Sequence, residues 1–188
     1  RLRFSYEVLD GAWDALLSGR ADLALGLSSE TPPAAFASGL YSMRPLGDLR
    51  FVFCVAPRHP LAAAPEPLES DTIIRHRAIA VASTAHSLPS RSVGLLSGQD
   101  TLTVATLEQK VAMQVAGAGC GWLPESFAHP HIAAGRLVEK RTQQARPVDP
   151  LQYGWRRARR GKALSWWLSR LEVARVRKRL LLGPEHAH

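Results

Sequence analysis

The chain has 188 residues, of which 46% are hydrophobic, so it can form one ordinary domain or two small lobes. No apolar run approaches the roughly eighteen residues that cross a bilayer, which argues against a membrane-spanning class and a membrane partner. No secretory signal is visible at the start, where strand-like alternation begins at once without an initiator Met. We therefore expect a fragment of a longer chain, with a segment missing upstream of Arg1.

The net charge of +8 is concentrated at one end of the chain. Residues 1–135 carry 10 Lys/Arg and 12 Asp/Glu, whereas residues 136–188 carry 14 Lys/Arg and 4 Asp/Glu. A basic end of this kind suits either a polyanionic partner, such as nucleic acid, or a solvated helix face and turn.

The first fifty-six residues predict alternating strands and a helix. Apolar and polar side chains alternate over residues 1–9, which is typical of a strand. Asp10 then precedes a short helical pattern, and the apolar run at residues 22–27 predicts a buried strand. Strand, helix and strand in this order predict a parallel sheet. Two further runs, residues 40–46 and 49–56, predict more strands.

The middle of the chain repeats this alternation. Residues 78–82 and 102–104 predict short strands, the first of them followed by a polar loop. Thr106 and Gln109 fit a capping box, in which a hydroxyl and an amide each satisfy a free backbone N–H at the start of a helix. Later elements are expected at residues 122–124 (strand or turn), 125–135 (helix), 136–140 (strand) and 151–155 (strand).

The stretch YGWRRARRGKALSWW, residues 153–167, places five cations among aromatic side chains, as a nucleic-acid surface would. We interpret residues 156–162 as an exposed turn whose flanking aromatics point into the protein. An amphipathic helix is expected over Ala163–Leu182, with Trp167 on its buried face and Trp166 nearer the surface. Contact of these arginines with a polyanion stays open as an alternative.

Two cysteines, Cys54 and Cys120, stand in apolar or small-residue surroundings. Buried, reduced thiols fit this pattern better than a disulfide framework. This interpretation favours the cytoplasm over the periplasm.

Four segments resemble the effector-binding domain of the LysR-type transcriptional regulators. They are residues 17–26 (LSGRADLALG), 45–61 (PLGDLRFVFCVAPRHPL), 116–124 (AGAGCGWLP) and 135–138 (GRLV). Their order and spacing together carry the resemblance, which covers residues 1 to about 175. It implies an α/β fold of two Rossmann-like lobes, as in type II periplasmic binding proteins, joined by crossover strands.

The resemblance also implies a domain organisation. The first lobe would span residues 1–56 and the second 57–148. Residues 149–182 would form a return strand and C-terminal helix that pack on the first lobe, and residues 183–188 a tail. The first strand and helix of the first lobe would be missing, and so would the winged helix-turn-helix through which such regulators bind DNA.

The resemblance further implies a function without enzymatic activity or cofactors. A small-molecule effector, an organic or aromatic acid, would bind between the lobes, and the full-length protein would form a homodimer or homotetramer. A helix start suits a carboxylate, because its N–H groups are free and its dipole is positive there. The implied effector-binding residues are Leu25, Gly26, Leu27, Ser83, Thr84, Val104, Ala105 and Thr106. A plain helix cap at Thr106, and a solvated turn at Ser83 and Thr84, stay open beside this role.

Other functional classes are less well supported by the sequence. A periplasmic-type solute-binding protein for a small metabolite shares the bilobal fold and is the alternative function. His86 and Ser87 are neighbours in a loop without a nucleophile-elbow motif, so we predict no catalytic site. His129 and His131 have no further ligand at metal spacing, so we expect exposed loop histidines and no metal site.

Overall fold

A computed structural model describes residues 2–30, 32, 39–88, 94–145, 147–158 and 161–182. The chain divides into two compact units, and each is built from separate stretches of sequence. Unit 1 comprises Arg1–Leu49, Ser83–Arg91 and Asp149–His188, and unit 2 comprises Arg50–Ala82 and Ser92–Val148. The predicted tail, residues 183–188, lies outside the described residues.

Helices and strands alternate along most of the chain. In chain order they are α1 (Gly11–Leu17), β1 (Leu23–Leu27), β2 (Tyr41–Val55), α2 (Pro60–Ala63), α3 (Ser70–Ile73), β3 (Ala78–Val81), β4 (Thr101–Val104), α4 (Leu107–Val115), β5 (Gly121–Pro124), α5 (Glu125–Ala133), β6 (Val138–Lys140), β7 (Val148–Arg156), α6 (Lys162–Leu171) and α7 (Ala174–Leu182). The two runs predicted at residues 40–46 and 49–56 form the single strand β2. None of the helices among the described residues is long and apolar enough to cross a membrane.

In unit 1, β1 pairs with β7 in antiparallel fashion, with Leu23 opposite Trp155. The register shifts between Leu25 and Leu27, where Gly26 has a φ of +78°. Such a bulge needs a residue that tolerates positive φ, and glycine does so without a steric penalty.

The strand predicted at the start of the chain is wrong for residues 2–8, which form no strand. The side chains of Leu2, Phe4 and Tyr6 are 60%, 76% and 63% exposed. Alternation produces a strand only where a neighbour supplies hydrogen bonds and a surface to cover one face. Since β1 finds its neighbour in β7, the parallel pair predicted from residues 1–27 is absent from the described part of unit 1.

Unit 1 buries two apolar clusters. One contains Trp13 of α1 and Leu27 of β1, and both side chains are fully buried. The other contains Tyr153 and Trp155 of β7 together with Leu171 of α6. Tyr153 and Trp155 are only 2% and 5% exposed, which confirms that these aromatics of the basic stretch point into the protein.

The helix predicted over Ala163–Leu182 is in fact two helices. The first, α6, ends at Leu171, and α7 begins three residues later. The Arg177 side chain donates from Nη1 to the carbonyl oxygens of Leu171 and Glu172, at 2.6 and 2.9 Å. A side chain thus satisfies carbonyls that have no helical partner at the end of α6, which stabilises the break.

Trp166 and Trp167 of α6 differ in burial, as their neighbouring positions on a helix require. Trp166 is 51% exposed, and the Arg170 guanidinium lies 5.2 Å from its ring centre. Trp167 is half-buried, and its ring contacts those of Phe4 and Trp166 edge-on at 6.1 and 5.1 Å. The predicted surface position of Trp166 is confirmed, whereas Trp167 lies only partly in the core.

In unit 2 the end of β2 is flanked by β5 and β6, and both pairs are antiparallel. Strands β3 and β4 run parallel, with Ala78 opposite Thr101. One apolar cluster packs Val111 of α4 and Ala128 of α5 with Leu123 of β5. Unit 2 is therefore a mixed α/β layer, with helices packed on the sheet.

Both cysteines lie in unit 2, fully buried and without a disulfide, as the sequence predicted. The Cys120 thiol donates weakly to the Arg77 carbonyl oxygen at 3.4 Å. Burial raises the pKa of Cys120 to about 11. The thiol is therefore protonated at neutral pH and shielded from solvent, which makes it a poor nucleophile.

A buried lysine of β6 holds the segment after α2 in place. Lys140 Nζ donates to the carbonyl oxygens of Ala62 and Ala64 at 3.1 and 2.9 Å and lies 3.2 Å from Glu66. Arg141 lies 2.8 Å from the other oxygen of the same carboxylate. The hydrogen bond from Arg141, with that from Lys140, outweighs burial and lowers the pKa of Glu66 to about 2.

We predict that neither cysteine reacts with a thiol reagent in the folded chain. Both side chains are fully buried, so the reagent must wait for the chain to open. Titration with a chromogenic disulfide should detect close to zero thiols per chain in native buffer and two in denaturant. Rapid reaction of one thiol in native buffer would contradict this burial.

We predict that Glu66→Gln lowers the free energy of unfolding near neutral pH but has little effect near pH 2. The pKa of Glu66 is depressed in the folded chain, so its stabilisation is present above an unfolded pKa of about 4.5 and is lost as pH falls toward about 2. Urea unfolding at several pH values between 7 and 2.5 measures this. Glu69→Gln, which changes an exposed glutamate, is the matched control. A difference in unfolding free energy between Glu66→Gln and the unmodified chain that stays constant with pH would refute the account.

Candidate functional site

The predicted effector-binding residues fall into two sets, one in each unit. Ser83 and Thr84 belong to unit 1, together with Leu25–Leu27, whereas Val104–Thr106 belong to unit 2.

The Thr84 hydroxyl in unit 1 is occupied by the protein itself. Its Oγ1 accepts a hydrogen bond from the Val8 amide at 2.9 Å and donates to the Glu7 carboxylate at 2.7 Å. A β-carbon at Gly11 would collide with this oxygen, so the start of α1 approaches Thr84 as closely as glycine permits. Thr84 therefore attaches the segment 83–88 to residues 7–11.

A second anchor holds the same segment to α1. Asp14 is buried, accepts from the Ser87 amide at 3.1 Å and lies 2.8 Å from the Arg20 guanidinium, which also lies 3.2 Å from Glu7. Burial alone would raise the pKa of Asp14, but the bond from Arg20 and the bonds from the 86–87 segment outweigh it and lower that pKa. The sequence pattern assigns no role to Asp14 or Arg20, although Arg20 lies in the segment 17–26 that carries the family resemblance.

Ser83 differs from Thr84 because its hydroxyl proton is uncommitted. Its Oγ accepts from the Ala85 amide at 3.2 Å, a turn bond that fits the solvated-turn interpretation. Among the described residues no acceptor receives the hydroxyl proton of this half-buried side chain. Ser83 can therefore donate a hydrogen bond to a ligand without losing its own turn.

The Leu25–Leu27 strand end has one open position. Leu27 is fully buried in the unit 1 core, and Leu25 is 37% exposed. Apart from its two chain neighbours, no described residue has a heavy atom within 4 Å of the place that a β-carbon on Gly26 would take. The backbone at Gly26 is consequently open to close approach, whereas the Leu27 side chain serves the core.

In unit 2 the predicted capping box at Thr106 is confirmed. Thr106 Oγ1 accepts from the Gln109 amide at 3.2 Å, and Gln109 Oε1 accepts from the amides of Ala105 and Thr106 at 2.9 and 3.3 Å. The backbone N–H groups of Leu107 and Glu108 and the Thr106 hydroxyl proton have no acceptor among the described residues. Three uncommitted donors thus meet at the positive end of the nine-residue helix α4.

A groove of unit 2 lies beside α4 but is not lined by Val104, Ala105 or Thr106. It is an open groove of about 520 Å³ between α4 and α5, with Val111, Val115 and Phe127 on its apolar walls and His131 and Arg136 beside them. None of the predicted effector-binding residues lines it. Its position is therefore no support for the predicted site.

His129 and His131, expected in a loop, both lie in helix α5, and His86 and Ser87 lie in the segment 83–88. His131 lies in helix α5 rather than in a loop, and its Nδ1 accepts from Arg136 Nε at 3.2 Å. His86 and Ser87 are exposed, and the Ser87 amide is held by Asp14. Within the described ranges, no three His, Cys, Asp or Glu side chains are grouped to hold a metal ion.

Two arginines of the basic stretch contact the protein. The Arg156 guanidinium lies 5.8 Å from the Tyr41 ring centre, and Arg157 Nε donates to Ser42 Oγ at 2.8 Å. Arg159 and Arg160 lie outside the described residues. Contact of this stretch with a polyanion stays a prediction.

We predict that Thr84→Val lowers the free energy of unfolding by about 1–3 kcal/mol, because it leaves the Val8 amide and the Glu7 carboxylate without their shared partner. Urea unfolding of the variant beside Thr103→Val, an exposed threonine of unit 2, measures this. Equal stability of the two variants would contradict the role assigned to Thr84.

We also predict that Gly11→Ala destabilises the chain and does so less in a Thr84→Ala background. The second change removes the oxygen that the new methyl group would meet. The interaction term of the double-mutant cycle measures this contact directly. If the two changes in unfolding free energy simply add, the contact with Thr84 is not what excludes a side chain at residue 11.

Comparison with known proteins agrees with these observations. The LysR substrate binding domain family matches residues 1–175. The uncharacterized HTH-type transcriptional regulator YeeY of Escherichia coli (strain K12) is 41% identical over 167 residues, which are 89% of this chain and 53% of that protein. The chain therefore spans about half the length of this curated relative.

Solved structures give the fold. The regulatory domain of MetR, a LysR family regulator from N. meningitidis, has a TM-score of 0.62 at 20% identity, over 92% of this chain and 78% of that one. Full-length LysG from Corynebacterium glutamicum with bound effector Arg has a TM-score of 0.57 at 18% identity, over 88% and 53% of the two chains. The predicted fold class, the α/β fold of type II periplasmic binding proteins, is thereby confirmed. The chain belongs to the LysR substrate binding domain family.

Proposed function

We propose that this chain is the effector-sensing part of an HTH-type transcriptional regulator and has no enzymatic activity of its own. The family match over residues 1–175 and the relative YeeY support this function. The alternative is a solute-binding protein for transport, which has the same fold. The relative YeeY is named as a transcriptional regulator, which favours the sensing function. Residues outside this sequence would then bind DNA. The full-length protein would be a homodimer or homotetramer. It would work in the cytoplasm.

The effector is proposed to be a small organic or aromatic acid. The observation that carries this is the group of uncommitted donors at the start of α4, where the Leu107 and Glu108 amides and the Thr106 hydroxyl meet the positive helix end. Such a position favours a carboxylate, which can accept all three hydrogen bonds. Val104, the last residue of β4, and Ala105 come directly before the Thr106 cap and would lie beside the bound effector.

In unit 1, Ser83 supplies a further uncommitted hydroxyl proton. The open backbone at Gly26, between Leu25 and Leu27, would let the effector approach closely. Thr84 would act mainly by positioning Ser83, because its own hydroxyl bonds to Glu7 and Val8. The predicted division into lobes at residues 1–56 and 57–148, with residues 149–182 returning to the first lobe, stays part of this proposal.

The proposal predicts that small carboxylates raise the thermal midpoint of the 188-residue chain, since a ligand that binds only the folded state stabilises it by mass action. A thermal-shift screen of small organic and aromatic acids, followed by calorimetry on any hit, measures this. The corresponding amides and alcohols, which lack the anionic group, are the matched ligands and should bind more weakly.

Three variants test the residues that the proposal names. Ser83→Ala should weaken a hit by about 10-fold or more, since a lost hydrogen bond to a charged group is worth about 1.5–3 kcal/mol. Thr106→Ser keeps both the cap and the hydroxyl and should bind normally, whereas Thr106→Ala should not. Ser169→Ala, which changes an exposed serine of α6, is the control. Binding that is unaffected by Ser83→Ala and Thr106→Ala would refute the site.

A further inference from the structure

The positive charge of the chain is concentrated in one segment of unit 1. Residues 150–182 contain ten Lys/Arg and one acidic residue, Glu172. Among the described residues of this segment six cations are exposed, and together they form what we call the basic surface: Arg157, Lys162, Arg170, Arg175, Lys178 and Arg179. The proposed effector site uses none of them, so they are available to another partner.

Helix α6 presents two of these cations with an exposed tryptophan between them. Lys162, Trp166 and Arg170 are spaced four residues apart, so they lie on one face of the helix, and all three side chains are exposed. Leu164 and Leu171 of the same helix are buried in a core cluster of unit 1. The stripe formed by residues 162, 166 and 170 therefore points away from the core, toward solvent.

Helix α7 presents three more cations on its own outer side. A β-carbon on Gly47 of β2 would collide with Leu181, which shows that the Leu181 side of α7 packs on this strand. Arg175, Lys178 and Arg179 are all exposed. Since residues three and four apart are neighbours on a helix surface, these three side chains form one cationic patch.

Strand β2 brings the cations of both helices and Arg157 to the same side of unit 1. Its Ser42 accepts from Arg157 Nε at 2.8 Å. Its Arg44 lies 2.7 Å from Glu172, at the junction of α6 and α7, and its Leu46 packs in the same apolar cluster as α6. Alternate residues of a strand point to one face, so residues 42, 44 and 46 place these contacts along about 13 Å of a single face.

Acidic side chains do little to neutralise the basic surface. Glu172 is already paired with Arg44, which is not one of the six cations. Asp48 is exposed one residue beyond Gly47, at the far end of this part of β2. The surface therefore keeps a large positive excess, and a polyanion is the partner that this charge fits.

We propose that the basic surface contacts the phosphate backbone of double-stranded DNA without reading its base sequence. Four of its six cations are arginines, whose planar guanidinium groups match the geometry of phosphate oxygens. A duplex carries one charge per about 1.7 Å of its axis, so a surface of this length faces several phosphates at once. The contact would add to that of the DNA-binding residues outside this sequence. It rests on the proposed function only in the choice of DNA as the polyanion.

The aromatic residues nearby favour a duplex over a single strand. The Arg170 guanidinium lies 5.2 Å from the ring centre of Trp166, and the Trp167 ring contacts that ring edge-on at 5.1 Å. Tyr153 and Trp155 are buried. Binding of a single strand relies on aromatic rings that are free to stack on bases. These rings are occupied or buried, so phosphate contact is the interaction left to the surface.

Titration of a short labelled DNA duplex with the 188-residue chain, followed by fluorescence anisotropy, tests the proposal. Two duplexes of unrelated sequence should bind equally well. The logarithm of the affinity should fall linearly with the logarithm of salt concentration between about 50 and 200 mM, with a slope of about −3 to −5. Polyglutamate of equal total charge should compete poorly, because an extended chain carries only one charge per about 3.3–3.6 Å. Absence of binding at the lowest salt concentration, or equal competition by polyglutamate, would overturn the proposal.

Two triple variants locate the contact. The test variant replaces the three cations of α7: Arg175→Gln, Lys178→Gln and Arg179→Gln. The control lowers the net charge by the same amount through three exposed arginines of unit 2: Arg50→Gln, Arg58→Gln and Arg75→Gln. The test variant should bind about 10-fold more weakly and lose about 3 from its salt slope, whereas the control should bind nearly as the unmodified chain does. Equal losses in both would show an effect of net charge alone and would overturn the proposal.

Chemical modification of arginines in the unmodified chain gives a second readout that depends on no variant. Phenylglyoxal reacts with accessible guanidinium groups, and mass spectrometry gives the extent of reaction at each. The duplex should protect Arg170 and Arg175 severalfold and leave Arg58 and Arg75 unprotected. Uniform protection, or none, would contradict the proposed contact. Neither readout uses an effector, so a negative result here is distinguishable from a negative screen of organic acids.

Discussion

The structure of unit 1 depends on one hydroxyl group. Thr84 joins residues 76 positions apart, because its oxygen accepts from the Val8 amide while its proton goes to Glu7. Residues 2–8 form no strand, so this contact replaces the hydrogen bonds that a neighbouring strand would give them. The close approach of Gly11 follows from the same contact, and it places Ser83 beside a fixed neighbour. A rigid support of this kind is what a hydrogen-bonding ligand contact requires.

Unit 2 shows how differently two buried lysines can be placed. Lys140 has its bonds completed by two backbone carbonyls and Glu66, so it joins β6 to the segment after α2. Lys110 of α4 is also buried, and Gln114, one turn further along the helix, is fully buried with no hydrogen-bond partner among the described residues.

Local signals in the sequence predicted local structure. The capping box at Thr106 and Gln109 formed as expected, since both of its bonds join residues within one helical turn. Non-local features could not be predicted this way. The alternation of residues 1–9 gives a strand only where a neighbouring strand pairs with it. The break in the predicted last helix depends on the Arg177 side chain, which donates to the Leu171 carbonyl oxygen six residues earlier. The burial of Lys110 could not be predicted either, because the helical spacing of apolar residues in α4 marks only apolar positions as buried.

The central claim is that uncommitted donors at the start of α4 receive an acidic effector. The most direct measurement is a titration of the ¹⁵N-labelled chain with a small carboxylate that binds, followed by amide chemical shifts. We expect the Leu107 and Glu108 amides to show the largest downfield shifts, because they gain a charged acceptor. Shifts confined to the groove around Val115 and Phe127, with Leu107 and Glu108 unchanged, would contradict the account.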